Sequence, residues 1–186
     1  NNRFHFGIGV SPWYEDFLAT GERWEKRGKR MDEQITILRG LMGGDYFGFK
    51  GDFYDIPDLK LCPVPSQPVP ILIGGHSKLA LKRAAKLGDG WISAGITLEE
   101  TKDFINQINS YREEFGTLDH PNYQFQVMGE AAYSPDGVRA LEDLGATEVI
   151  VAFRNAYEGG PDERTLDSMK AEISWYAEEV INKFRG

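Results

Sequence analysis

The sequence is almost without cysteine. Cys62 is the only one in 186 residues. That excludes an intramolecular disulfide framework and argues against a cysteine-rich metal site; Cys62 itself reads as a packed side chain. Long apolar runs are missing too: none approaches the roughly 20 residues that cross a bilayer as a helix. No stretch reads as a signal peptide, and a cytoplasmic protein is the expectation. Positive charge is scarce, with 29 acidic against 21 basic residues and a net charge of −8. That balance disfavours nucleic acid or an anionic membrane as the main partner. No low-complexity tract or internal repeat appears beyond an alternation of strand and helix patterns.

What is present is organised around residues 70–92, PILIGGHSKLALKRAAKLGDGWI. Ile71, Leu72 and Ile73 form a short apolar run, as in a strand buried on both faces. Gly74 and Gly75 allow a sharp turn or close approach to a ligand. His76 or Ser77 can cap the helix that follows. Leu79, Leu81, Ala84, Ala85 and Leu87 give that helix an apolar face, and Gly88 is expected to end it in a left-handed cap. A strand feeding a glycine turn at a helix start is suited to an anion, because the first amides are unpaired and the helix dipole is positive there. Lys78 and Arg83 are close by in sequence. A plain tight βα turn fits this stretch equally well.

The rest of the chain keeps the same rhythm. Residues 3–10 alternate Phe4, Phe6, Ile8 and Val10 with His5, Gly7 and Gly9, a strand whose second face is small. Residues 14–41 read as mainly helical, with Met31, Ile35, Leu38 and Met42 on one face. The mixed charges from Glu22 to Arg30 read as a solvated face. Residues 45–69 are an insertion: a small aromatic hairpin turning at Lys50-Gly51-Asp52, then a proline-rich extended segment. Residues 91–95, 123–133 and 148–153 are further strands. Thr97 and Glu100 form a capping box for a helix ending at Gly116. Ser134 opens a short helix closed by Gly145, and residues 165–184 form a long amphipathic helix. Five strands alternating with helices imply a parallel sheet, either doubly wound or part of a (β/α)8 barrel. The domain reading is one unit over residues 1–186.

Several segments together resemble the luciferase-like monooxygenase family: RFHFGIGV at 3–10, EKRGKRMDE at 25–33, FKGDFYDI at 49–56, and IGGHS followed by GDGW. The resemblance implies a TIM barrel, with these segments as its fourth to eighth βα units. Since five strands cannot close the usual eight-stranded barrel, it also implies a truncated or cleaved barrel, or a homo-oligomer that covers the open side. It implies coenzyme F420 or FMN as cofactor, and the GGHS and GDGW pattern is closer to the F420-dependent branch. Gly9, Val10 and Ser11 would lie near the cofactor, and Gly74, Gly75, His76 and Ser77 would hold its phosphate. Some relatives carry an arginine where Val10 stands.

Barrel chemistry sits at the C-terminal ends of the strands. The polar candidates there are Ser11, His76, Ser77, Glu130, Arg154 and Asn155, with Trp13 and Trp91 as pocket walls. Glu130 either serves the substrate or pairs with Arg154 or a lysine. Arg154 either holds an anionic substrate group or makes a surface ion pair. No residue is singled out as catalytic and no metal is expected. The resulting reading is a flavin- or F420-dependent oxidoreductase or monooxygenase acting on a small organic substrate. A non-catalytic, cofactor-binding relative and a non-redox phosphate-ligand barrel enzyme, such as an isomerase or aldolase, are the alternatives.

Overall fold

The computed structural model describes residues 3–154 and 160–185. In chain order the elements are β1 (Phe6–Ile8), α1 (Tyr14–Thr20), α2 (Arg27–Met42), β2 (Phe47–Lys50), β3 (Asp55–Leu59), β4 (Ile71–Gly74) and α3 (Lys78–Leu87). They continue as β5 (Gly90–Ile92), α4 (Leu98–Phe115), β6 (Gln124–Met128), α5 (Pro135–Asp143), β7 (Glu148–Ile150), α6 (Leu166–Tyr176) and α7 (Asn182–Arg185). A π turn over Ala177–Ile181 joins the last two helices into one rod.

Strands β1, β4, β5, β6 and β7 are parallel and lie side by side in that order. Spatial order follows chain order without reversal. A doubly wound sheet reverses direction at a switch point and puts helices on both faces. A monotonic order with right-handed crossovers keeps the helices on one face, as along the arc of a barrel. The packing agrees. Ile71, Ile73, Trp91, Phe125 and Val127 enter one core with Met31, Ile35, Leu81, Ala84, Ile105, Ile108 and Leu141 of the helices. The aligned residues of the opposite face run Gly7–Leu72–Gly90–Gln124 and Gly74–Ile92–Gln126–Glu148. Gln126 Nε2 donates to Glu148 Oε2 at 2.7 Å on that face. The glycines permit close packing there: a Cβ on Gly90 would meet the Gln124 carbonyl at 2.6 Å.

The insertion is an antiparallel hairpin, β2 with β3, held by α2. Glu33 Oε1 accepts from the Asp52 N–H at 2.7 Å, and Oε2 from those of Phe53 and Tyr54 at 3.0 and 3.1 Å. Gln34 Nε2 donates to the Tyr54 hydroxyl at 2.7 Å. A side chain at Gly51 would run into the Glu33 carboxylate at 2.5 Å. The EKRGKRMDE and FKGDFYDI segments are therefore two halves of one contact.

Most local signals are realised. Thr97 and Glu100 form the capping box, Gly116 takes a left-handed φ of 68°, and Ser134 caps α5. Other readings need correction. Gly88 is extended at φ −89°, ψ 158°, because the chain must run straight into β5; glycine is needed there since a Cβ would lie 2.8 Å from the Ala84 carbonyl. Leu79 is 72% exposed, and Ala80 takes its place in the core. The strand read over 123–133 ends at Met128, and Glu130–Tyr133 is a 3-10 turn. Cys62 is exposed rather than packed. Among the described residues no helix is long and apolar enough to cross a membrane.

Candidate functional site

The C-terminal ends of the parallel strands carry two clefts. The first, about 320 Å³, lies beyond β1. Gly9, Val10 and Ser11 form one wall, α1 contributes Asp16 and Phe17, and α2 contributes Arg27, Arg30 and Gln34. The guanidinium of Arg27 lies 3.5 Å from the centre of the Trp24 ring, and its buried Nε has no hydrogen-bond partner among the described residues. Arg30 is largely buried, at 13% side-chain exposure. It donates to the Arg23 carbonyl at 2.6 Å and lies 3.6 Å from Glu22. Lys26 starts α2 in a left-handed conformation at φ 55°, with no side-chain cap and no acid in the first turn. That costly backbone state turns the next residues inward. The charge run read as a solvated face therefore has two arginines in a cleft. The missed signal is spacing: Arg27, Arg30 and Gln34 share a helix face with buried Met31.

The glycine turn lies alongside. A Cβ on Gly9 would sit 3.9 Å from the Gly74 carbonyl, so the end of β1 and the turn after β4 nearly touch. Gly75 has φ +117°, and a Cβ there would meet Ala80 at 3.0 Å; both facts demand glycine. Ser77 caps α3, accepting from the Ala80 N–H at 3.2 Å, and the first turn of α3 holds no acid. Arg83 does not assist. It pairs with Asp32 of α2, away from the turn.

His76 joins two rim loops. Its Nε2 accepts from the Ala94 N–H at 3.2 Å, and its ring stacks on Phe104 with centroids 5.1 Å apart. Burial lowers its pKa, with Glu100 opposing, so the imidazole stays neutral and can accept. Trp91 is not a pocket wall: it is fully buried, and its Nε1–H donates to the Gly75 carbonyl at 2.9 Å. Trp13 is 48% exposed at the start of α1 and lines neither cleft; its backbone N–H donates to Ser11 Oγ.

The second cleft, about 660 Å³, lies over the ends of β5, β6 and β7. Loop 94–97, residues 128–130 with Tyr133, and Ala152 with Arg154 surround it. Ser93 and Tyr133 brace its floor. The buried Ser93 hydroxyl accepts from the Met128 N–H at 2.8 Å. The Tyr133 hydroxyl donates to the Ala152 carbonyl at 2.6 Å and accepts from its N–H at 3.0 Å. Glu130 and Arg154 share this cleft but do not pair. Arg154 lies 3.6 Å from Asp162 and donates to the Gly160 carbonyl at 3.0 Å. Asp162 is also gripped by Arg164 at 2.8 Å, whose hydrogen bonds hold its carboxyl well below the usual range. Asn155 lies outside the described residues.

Parallel strands in chain order, helices on one face and clefts on the carboxyl rim define an α/β protein of the TIM-barrel type. The F420-dependent tetrahydromethanopterin reductase from Methanopyrus kandleri has this fold: 97% of the chain superimposes on 74% of it at a TM-score of 0.72, with 13% identity. The chain belongs to the luciferase-like monooxygenase family, which it matches over residues 1–174. An uncharacterised protein of Mycobacterium tuberculosis is 46% identical over 182 residues; the alignment takes in 98% of this chain and 62% of that protein. An F420-dependent glucose-6-phosphate dehydrogenase of Amycolatopsis mediterranei is 34% identical over 77% of this chain and 44% of its own length. An FMNH2-dependent dimethylsulfone monooxygenase of Pseudomonas fluorescens is 35% identical over 59% of this chain and 31% of its own length. The chain thus spans less than two thirds of the length of each of these last three relatives. Enzymes among them use F420 or reduced FMN.

Proposed function

We propose that this chain holds F420 or FMN for an oxidoreductase or monooxygenase acting on a small organic substrate. The anionic tail of the cofactor would sit between Gly74–Ser77 of the glycine turn and the Gly9–Ser11 wall of the basic cleft. The observation that carries this reading is the meeting there of the acid-free start of α3 with Arg27 and Arg30 on α2, in a cleft that Asp16 and Glu22 also line. The residues fit such a group. Arg27 and Arg30 both line the cleft, and guanidinium N–H groups bind phosphate oxygens well. Gly9 and Gly74 leave the backbone bare for close approach. Helix amides, a serine hydroxyl and guanidinium groups together suit a phosphate better than any one of them. When bound, the flavin or deazaflavin ring supplies the hydride or oxygen chemistry. The protein's part is to fix the ring's tail and keep a second cleft open beside it for substrate. His76 serves this reading as a brace between rim loops, since its acceptor nitrogen is already engaged by Ala94.

Titrating FMN and F420 separately, followed by absorbance and fluorescence, tests the proposal. One of them should bind with a changed spectrum. Arg30→Ala should weaken binding by about tenfold or more, the loss of one hydrogen bond between charged groups. Unchanged spectra with both cofactors would overturn the reading.

A further inference from the structure

The two rim clefts differ in what charge they can accept. Around the first cleft Arg27 and Arg30 stand with Asp16 and Glu22, and Glu22 lies 3.6 Å from Arg30; the glycine turn beside it adds the start of α3, whose first turn holds no acid. Around the larger cleft the positive sources among the described residues are already answered. Arg154 faces Asp162 at 3.6 Å, and Asp162 and Glu172 together balance Arg154 and Arg164. The start of α4, which borders the cleft, is the other natural anion site. It is filled by its own side chain: Glu100 Oε2 accepts from the Thr97 N–H at 2.9 Å, with Glu99 in the same turn. The Thr97 bonds also hold the Glu100 carboxyl below its ordinary range, so that it remains charged. Glu130 then adds an exposed carboxylate at the edge, and among the described residues it makes no ion pair or hydrogen bond. The remaining walls are Ala94, Ile96, Met128, Tyr133 and Ala152, mainly apolar.

We infer that the larger cleft takes an uncharged substrate with an apolar body and rejects anionic ones. The Glu130 carboxylate would accept from a hydroxyl end, the Thr97 N–H and hydroxyl being already given to Glu100 Oε2. The arrangement sorts ligands by charge along one rim: anionic tail at the arginines, neutral substrate three strands away. A like charge beside an unpaired carboxylate costs binding energy that an apolar wall does not return. This rests on reading the larger cleft as the substrate end of the proposed site.

Three probes with one body and different heads test it: hexanol, hexanoate and hexyl phosphate. Each is titrated into the full isotope-labelled chain, with FMN present and absent, while the amide resonances of Gly95, Gly129 and Ala152 are followed. Hexanol should shift these amides, and both anions should bind there about tenfold more weakly or worse. Glu130→Gln should narrow the gap for hexanoate. A preference below about threefold, tighter binding of hexyl phosphate than of hexanol, or unmoved cleft amides with hexanol would overturn the inference. Cofactor binding is scored separately by its own spectrum, so failure of one reading is distinguishable from failure of the other.

Discussion

The indole of Trp91 reaches from β5 to the Gly75 carbonyl and fixes the glycine turn from below. Its ring also packs against His76 and Phe104. Trp91→Phe keeps an aromatic ring but orphans that carbonyl and leaves a void in a fully packed site. A loss of about 2–4 kcal/mol is expected from denaturant unfolding. His76, on the other side of the turn, gives the molecule a pH dependence. Burial holds its folded pKa below the ordinary 6.5. The unfolded chain therefore takes up a proton that the folded chain resists, and stability rises with pH wherever the unfolded state binds more protons. Its contribution is complete above pH 6.5 and declines as the pH falls from there toward the folded pKa. His76→Phe keeps the stack on Phe104 and removes the titration. Its melting temperature should fall less than that of the native chain between about pH 7.5 and pH 5.5. Equal declines in both proteins would show that the imidazole is not the group responsible.

At the scale of elements, the hairpin β2–β3 owes its placement to one carboxylate. Glu33 satisfies three consecutive backbone N–H groups of the hairpin loop. An amide cannot accept on both of its arms, so Glu33→Gln leaves at least one of those donors unpaired. Amide exchange at Asp52, Phe53 and Tyr54 should accelerate by about tenfold or more, while that of β4 and β5 stays unchanged. The contrast between this contact and the capping box of α4 says what was legible from sequence. Thr97 and Glu100 act across three residues, so their pattern is visible in the string itself. Glu33 acts across about twenty residues, and its segment was recognisable only as a motif without a physical role. The arginines of α2 were hidden for a related reason. A run of alternating charges satisfies helical pairing in any rotation, and its inward members are marked only by their spacing from Met31, with the Trp24 ring then holding the Arg27 guanidinium. The end of β6 was misread because Ala131, Ala132 and Tyr133 are as compatible with a buried 3-10 turn as with a strand.

For the whole molecule, the five strands were readable because buried parallel strands are short, apolar and bounded by glycine or polar turns. Their order in space decides between the two architectures that the alternation allows, and periodicity carries no information about that order. The arc that results leaves β1 and β7 at its edges. It also leaves Leu166 and Ile173, which share one face of α6, exposed at 66% and 59%. Unpaired strand edges and an apolar helix face both favour association. A net charge of −8 opposes it, more weakly as salt screens the repulsion. The chain alone should therefore sediment above its monomer mass of 21.0 kDa at micromolar concentration, and association should strengthen with added salt. Ile173→Lys places a charge on that exposed helix face. It should shift the equilibrium toward monomer without lowering the unfolding midpoint of that monomer. A native chain that sediments at 21.0 kDa throughout, at low and high salt alike, would show that neither the edges nor this face is adhesive.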